Sequence, residues 1–123
     1  IVIPSMRTPK RIIDLAIKEF IPNGFVVNDV DKQAYLSSFA LANSIIVTCD
    51  STSMISEAAI SGKPIFVAHM KPKRNNYRFQ RFFQLFRKMG IIRNLGEKVE
   101  KWTYNHFNEA ERIASLVHSK LNN

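Results

Sequence analysis

Apolar residues along this chain follow two alternating spacings. Short apolar, partly β-branched runs alternate with longer stretches in which apolar residues recur every three or four positions, as on one face of an α-helix. The short runs predict strands at residues 1–4, 25–27, 44–48 and 65–68. The longer stretches predict helices at residues 9–20, 32–43, 54–61, 77–89 and 108–121. Glycines at positions 62 and 90 stand where a left-handed residue commonly ends a helix.

Strands that alternate with helices through short connections are typical of βαβ units. The predicted fold class is therefore α/β, a Rossmann-like parallel sheet with helices on both faces. The run at 44–48 is continuously apolar, which predicts a strand covered on both faces. Ligands of such sheets bind at the carboxyl ends of the strands, against the first turn of the next helix. Two loops fit that description, residues 5–8 and residues 50–53.

Composition narrows the class of protein. With 123 residues, 46% hydrophobic and 23% charged, we expect one globular domain over residues 1–123 with its own core. No apolar run reaches the roughly 20 residues of a membrane helix, and residues 1–10 do not resemble a signal peptide, so we predict a cytoplasmic protein. The lone Cys49 and scattered histidines predict no disulfide and no metal. Because the chain begins inside a predicted strand, we expect it to be part of a longer protein.

The net charge of +8 comes from one segment. Residues 71–93 hold eight Lys or Arg and no Asp or Glu, whereas basic and acidic residues balance on either side. Such a segment can attract a phosphorylated ligand, an anionic membrane or nucleic acid. Its phenylalanines, however, recur at helical spacing, which favours a helix with a buried Phe face and exposed arginines over a base-stacking surface. The four are Phe79, Phe82, Phe83 and Phe86. Nucleic acid is therefore the least favoured partner.

The loop at residues 50–53 places three hydroxyls and a carboxylate at a predicted helix start. It contains Asp50, Ser51, Thr52 and Ser53. Hydroxyls and backbone N–H groups at a helix start favour an anion, whereas capping alone needs only one such residue, expected here at Ser53. Glu57 could take part in a capping box only if position 54 were the cap, and that residue is Met54. Its carboxylate is therefore a candidate acceptor for ribose hydroxyls, the alternative being an ordinary solvent-exposed glutamate.

Residues 50–58, Asp-Ser-Thr-Ser-Met-Ile-Ser-Glu-Ala, continued by Gly-Lys-Pro-Ile at 62–65, resemble the carboxyl-terminal signature of the mitochondrial fission Elm-type family. This family is also described as predicted nucleoside-diphosphate-sugar epimerases. Further stretches agree in order and spacing, namely residues 4–9, 39–42, 81–82 and 89–91, with Trp102 and Tyr104. The resemblance covers nearly the whole chain.

The resemblance implies one half of a GT-B-like fold, in which two Rossmann-like domains face each other and this half holds the nucleotide-sugar donor. On matching positions, Ser51 and Ser53 would lie by the diphosphate and Glu57 by the ribose. Ser5 and Arg7 would reach the phosphates from the first loop, which also contains Thr8. The sequence departs from the family pattern at Met6, where a second basic residue is usual, and at Cys49, where a small residue is common.

Two functions follow from this resemblance. The first is a nucleotide-sugar, or nucleoside diphosphate, binding domain of a GT-B-like glycosyltransferase or sugar-nucleotide epimerase-like protein, with the missing amino-terminal domain as its partner. Enzyme status stays open, because the acceptor site and catalytic base would belong to that domain. The alternative is a non-catalytic scaffold or membrane-associated adaptor that contacts an anionic membrane surface through residues 71–93. His69 is interpreted as a surface or packing residue, and Trp102 and Tyr104 as a packing plug over the basic helix.

Overall fold

The computed structural model describes residues 1–70, 77–96, 98–105 and 107–122. Within those residues the chain forms five helices and a three-stranded parallel sheet, which confirms the α/β, Rossmann-like prediction. In chain order the elements are α1 (Lys10–Phe20), α2 (Lys32–Leu41), β1 (Ile45–Thr48), α3 (Thr52–Ile60), β2 (Ile65–Ala68), α4 (Tyr77–Lys88), β3 (Ile92–Asn94) and α5 (Glu109–Leu121). The chain divides into two compact units, residues 1–42 and 43–123.

In the first unit, the two predicted strands are reduced to a single parallel bridge between Val2 and Val26. The backbone N–H of Val2 donates to Phe25 (2.8 Å) and that of Val27 donates to Val2 (2.9 Å). The prediction of strands at 1–4 and 25–27 is therefore too long. Pro4 has no N–H with which to extend a ladder, and polar residues follow at 28–29.

The sheet of the second unit has the strand order β1-β2-β3. Strand β2 is central and buried, with Phe66 and Val67 at most 2% exposed. Strand β1 alternates instead: Ile45 and Val47 are buried, but Ile46 is 56% exposed. The prediction that β1 is covered on both faces is wrong, because successive side chains of a strand point to opposite faces and the described residues cover only one of them.

Strand β3 is not among the predicted elements. Its three residues carry one apolar side chain, Ile92, which is too weak a pattern to predict a strand. The strand forms because it pairs with β2, with Ile92 opposite Ile65 and Asn94 opposite Val67. Burial of Ile91 and Ile92 at 1% and 2% exposure fixes this segment against the core.

Helix α4 presents its aromatic face to the core, although unevenly. Phe86 is 4% exposed, whereas Phe79, Phe82 and Phe83 are half-buried. Arg81 and Arg87 are exposed, as predicted for the arginines of this helix. The part of the basic segment at residues 71–76 lies outside the described residues.

The two aromatic residues after β3 pack at different places. The Trp102 ring meets Phe66 edge-on, with centroids 5.1 Å apart, and its Nε1 donates to the carbonyl oxygen of Gly90 just beyond α4 (2.8 Å). Tyr104 contacts the carboxyl end of α3 instead, through the carbonyl oxygens of Ala59 and Lys63. Trp102 thus bonds just beyond the basic helix, whereas the Tyr104 hydroxyl bonds at the carboxyl end of α3 and just after it.

Length and hydropathy of the helices bear on membrane insertion. Among the residues that the structure describes, no helix is both long and apolar enough to cross a membrane.

Gly62, directly after the carboxyl end of α3, has a φ of +70°, and a Cβ at this position would meet nothing within 4 Å. Gly62→Ala should therefore lower the free energy of unfolding by about 1–2 kcal/mol through backbone strain alone. Gly96 is the matched control, because it has the same open space without a positive φ. Urea unfolding followed by circular dichroism measures both variants. An equal loss in Gly96→Ala would contradict the explanation by strain.

Candidate functional site

The first candidate loop links β1 to α3. Ser51 caps the helix: its Oγ accepts from the backbone N–H of Met54 (3.4 Å), and the residue is only 6% exposed. Helix α3 begins at Thr52, so the prediction of a start at residue 54 with Ser53 as the cap is wrong. The correction has a physical reason: Ser51 has the extended backbone of a cap residue, φ −131° and ψ 95°, and its hydroxyl lies within reach of the N–H three residues on.

The remaining residues of this loop stay at the surface or near it. Ser53 is exposed, and its Oγ lies 3.4 Å from that of Ser51. Asp50 is also exposed and accepts from the hydroxyl of Thr48 at 2.5 Å. The structure thus brings Asp50, Ser51, Thr52 and Ser53 into one turn at the carboxyl end of β1. The first N–H groups of a helix have no partner within the helix, so this turn can present both hydroxyls and N–H groups to an anion.

Glu57 lies on the exposed side of α3. Since Ser51 is the cap, the capping-box position is Met54, and Glu57 has no part in closing the helix. Ser53 and Glu57 are four residues apart, a separation that places side chains on the same face of a helix. A ligand on the amino-terminal turn of α3 can therefore extend along the helix to the Glu57 carboxylate.

The second candidate loop, in the first unit, is a tight turn. The backbone N–H of Ser5 donates to Thr8 Oγ1 (2.9 Å), and that of Thr8 donates to the carbonyl oxygen of Ser5 (2.9 Å). The N–H of Arg7 donates to Ser5 Oγ (3.2 Å). The structure brings Ser5, Arg7 and Thr8 together, but both hydroxyls stabilise the turn. The exposed Arg7 side chain is the cationic group of this loop.

A third cluster, which sequence reasoning missed, lies at the carboxyl ends of β2 and β3. His69 follows β2, Asn94 ends β3, and Arg87 reaches both from α4. His69 Nε2 lies 2.8 Å from Asn94 Oδ1, and Arg87 Nη2 lies 3.0 Å from His69 Nε2. The strand-end rule pointed to His69, which was interpreted as a surface or packing residue. Asn94 carried no such signal because β3 was not predicted.

The ends of β1 and β2 are connected through Cys49. Its N–H donates to the carbonyl oxygen of Ala68 (3.1 Å), and its Sγ accepts from the N–H of Met70 (3.3 Å). Neighbouring strands are about 4.8 Å apart, so the turn before α3 and the cluster of His69, Arg87 and Asn94 share one edge of the sheet. That edge is where parallel α/β sheets bind ligands.

The opposite end of α3 is fixed by Tyr104. Its hydroxyl lies 3.0 Å from the carbonyl oxygen of Ala59 and 3.1 Å from that of Lys63, and it shares its proton between these acceptors. Burial raises the pKa of the Tyr104 phenol above its ordinary value, against the smaller lowering effects of hydrogen bonds from Ser61 and Gly62. The neutral phenol thus donates to the carbonyl groups of Ala59, in the last turn of α3, and of Lys63, in the segment that follows it.

In the described parts of the chain, no group of three or more His, Cys, Asp or Glu residues is placed to hold a metal ion.

Comparison with known proteins finds a matching family and similar sequences. A family model described as "Mitochondrial fission ELM1" matches residues 1–121. The chain is 27% identical over 125 residues to the mitochondrial fission protein ELM1 of Arabidopsis thaliana, covering 95% of this chain and 28% of that relative. It is 32% identical over 121 residues to the uncharacterized protein RP120 of Rickettsia prowazekii (strain Madrid E), covering 92% of this chain and 34% of that one. The chain thus spans about a third of the length of these relatives. No solved structure matches it significantly.

Proposed function

The chain belongs to the mitochondrial fission ELM1 family, and from this premise we propose that it is the nucleotide-sugar-binding domain of a GT-B-like glycosyltransferase or sugar-nucleotide epimerase-like protein. The observation that carries the proposal is the turn at residues 50–53. It joins the carboxyl end of a parallel strand to the amino-terminal end of α3 and carries more hydroxyls than capping uses. This arrangement supports binding of a nucleoside diphosphate.

The ligand is arranged along α3 in this proposal. The diphosphate accepts hydrogen bonds from the first N–H groups of the helix and from Ser53, while Ser51 keeps the helix start in place. Glu57, on the same helix face as Ser53, accepts hydrogen bonds from the ribose hydroxyls. Arg7, in the turn at residues 5–8 of the first unit, is a separate candidate for binding phosphate, because a guanidinium pairs with phosphate oxygens.

Catalysis is proposed only for a longer protein. The acceptor site and catalytic base of a GT-B-like enzyme lie partly in a second domain, and this chain spans 28% and 34% of the two relatives. The proposed contribution of these residues is therefore to bind and orient the nucleotide sugar. In this proposal the amino-terminal domain of the longer protein would supply the acceptor site and the catalytic base.

The adaptor alternative has one observation in its favour. Helix α4 carries arginine and lysine but no acidic residue, and Arg81 and Lys88 are exposed on it. Such a face fits an anionic membrane surface. Binding to anionic vesicles without binding of any nucleotide would favour the adaptor over the nucleotide-sugar domain.

Substituting the two serines of the turn distinguishes ligand binding from helix capping. We expect Ser53→Ala to weaken binding of a nucleoside diphosphate about threefold to tenfold with little change in stability, because Ser53 is exposed and does not cap. Ser51→Ala should lower the free energy of unfolding by about 1 kcal/mol, because it removes the cap. Calorimetric titration with UDP, GDP and ADP, together with urea unfolding, measures both effects.

Ser37→Ala in α2 is the matched control, since Ser37 is also an exposed helical serine. It should leave both quantities unchanged. If the wild-type chain binds none of the nucleoside diphosphates, or if Ser53→Ala binds them as the wild type does, the turn is ordinary capping and the proposed site is wrong.

A further inference from the structure

We propose that His69, Arg87 and Asn94 form a preorganised anion subsite that takes the distal phosphate of a diphosphate ligand. The assignment of the ligand as a diphosphate rests on the proposed function, whereas the binding of an anion rests on the geometry of the three side chains alone. The family resemblance named none of these residues, and of the three only His69 was considered individually in the sequence, as a surface or packing residue.

The three side chains form a closed triangle. Arg87 Nη2 donates to Asn94 Oδ1 (2.5 Å), His69 Nε2 lies 2.8 Å from the same oxygen, and the two nitrogen atoms are 3.0 Å apart. One neutral amide oxygen therefore holds a guanidinium and an imidazole side by side. His69 and Asn94 thus hold Nη2 in place, and the donors on Nη1 and Nε of Arg87, which take no part in the triangle, can donate to an anion with several oxygens.

The cluster carries a positive charge that no carboxylate offsets within the described structure. The Arg87 guanidinium is always protonated and has five N–H donors, of which the contacts above use only those on Nη2. Neither Arg87 nor His69 has an Asp or Glu partner among the described residues. By contrast, Arg93, the middle residue of β3, is paired with Glu100. A guanidinium that has polar neighbours but no carboxylate partner among the described residues favours a bound anion.

Packing holds the cluster in place before any ligand binds. The His69 ring meets the edge of Phe83 with centroids 5.7 Å apart. Arg87 follows Phe86, which is 4% exposed and anchors this turn of α4. Because less side-chain freedom is lost on binding when the groups are already positioned, such a site gains affinity.

The position of the cluster fits the distal phosphate. It lies at the carboxyl ends of β2 and β3, on the same sheet edge as the turn before α3, to which it is connected through Cys49. Adjacent strands are about 4.8 Å apart, so a diphosphate whose first phosphate contacts the amino-terminal end of α3 can extend its second phosphate towards β2. The ribose then points away along α3, towards Glu57.

Arg87→Gln tests the subsite, with Arg81→Gln as the matched control. Both variants remove one exposed arginine from α4, but Arg81 stacks over the Tyr77 ring at 5.9 Å and has no part in the triangle. In calorimetric titration of the whole chain with inorganic pyrophosphate at about 0.15 M salt, Arg87→Gln should bind about tenfold more weakly. Arg81→Gln should bind as the wild type does. Equal losses in both variants, or no binding of pyrophosphate by the wild type, would overturn the subsite.

His69→Ala keeps the test decisive if Arg87→Gln does not fold. Since His69 is exposed, its removal should leave the thermal midpoint nearly unchanged while pyrophosphate binding weakens about threefold. Unchanged binding by a folded His69→Ala variant would also overturn the subsite.

A parallel titration with UDP, GDP and ADP separates this subsite from the proposed function. If pyrophosphate binds in an Arg87-dependent manner and the nucleotides bind no tighter than pyrophosphate, the subsite stands and the nucleotide site fails. If the nucleotides bind wild type and Arg87→Gln equally well, the nucleotide site stands and the subsite is wrong.

Discussion

Phe86→Ala should lower the free energy of unfolding by about 3–5 kcal/mol, the usual range for removing a buried phenylalanine. Phe86 is 4% exposed and is the buried member of the aromatic face of α4. Its ring lies 4.1 Å from that of Phe82 and 5.1 Å from that of Phe107, measured between centroids. The substitution removes these contacts and leaves a cavity that the neighbouring rings can fill only in part.

Leu85→Ala is the control for this prediction. Leu85 precedes Phe86 on the same helix but is 54% exposed, so its loss should change the free energy of unfolding by less than about 1 kcal/mol. Urea unfolding followed by Trp102 fluorescence reports on both variants. If Phe86→Ala does not fold, Phe86→Leu provides a milder variant that should still be clearly destabilised. Equal stability of the Phe86 and Leu85 variants would refute the view that α4 packs by its aromatic face.

The strong patterns of the sequence predicted most of the fold. Strand β2 is found at the predicted residues, 65–68, because four consecutive apolar residues there form the centre of the sheet. The helices agree to within a few residues at each end, since their apolar spacing is regular. Strand β3 escaped prediction because it is three residues long and depends on pairing with β2, which no local pattern encodes. The same dependence on tertiary context reduced the predicted strand at 1–4 to one bridge.

The candidate site, like the fold, could be predicted from the sequence only in part. Asp50, Ser51 and Glu57 could be selected from sequence because they lie within a few residues of one another at the start of a predicted helix. The sequence could not show which residue caps the helix. Several hydroxyls were available, and Ser51 became the cap because of its backbone conformation. The triangle of His69, Arg87 and Asn94 draws on two strand ends and a helix, so it exists only after β3 and α4 have packed.

Glu57→Ala should weaken nucleoside diphosphate binding by about 1.5–3 kcal/mol, the range for hydrogen bonds to a charged group. In the proposed site the Glu57 carboxylate accepts from the ribose hydroxyls, on the same face of α3 as Ser53. The free energy of unfolding should change little, because Glu57 is exposed and does not take part in the cap. Calorimetric titration with UDP, GDP and ADP gives the binding free energies.

Inorganic pyrophosphate reveals the origin of that loss, because it has the phosphates but no ribose. Removing a negative charge near an anion site reduces repulsion, so Glu57→Ala should bind pyrophosphate as well as the wild type does, or slightly better. Glu19→Ala, which removes an exposed carboxylate from α1, controls for the change in net charge and should leave nucleotide binding unaltered. Weaker binding of nucleotides with unchanged binding of pyrophosphate therefore assigns Glu57 to the ribose. Parallel losses for both ligands would show instead that the substitution disturbs the start of α3, and equal nucleotide binding by wild type and Glu57→Ala would remove Glu57 from the site.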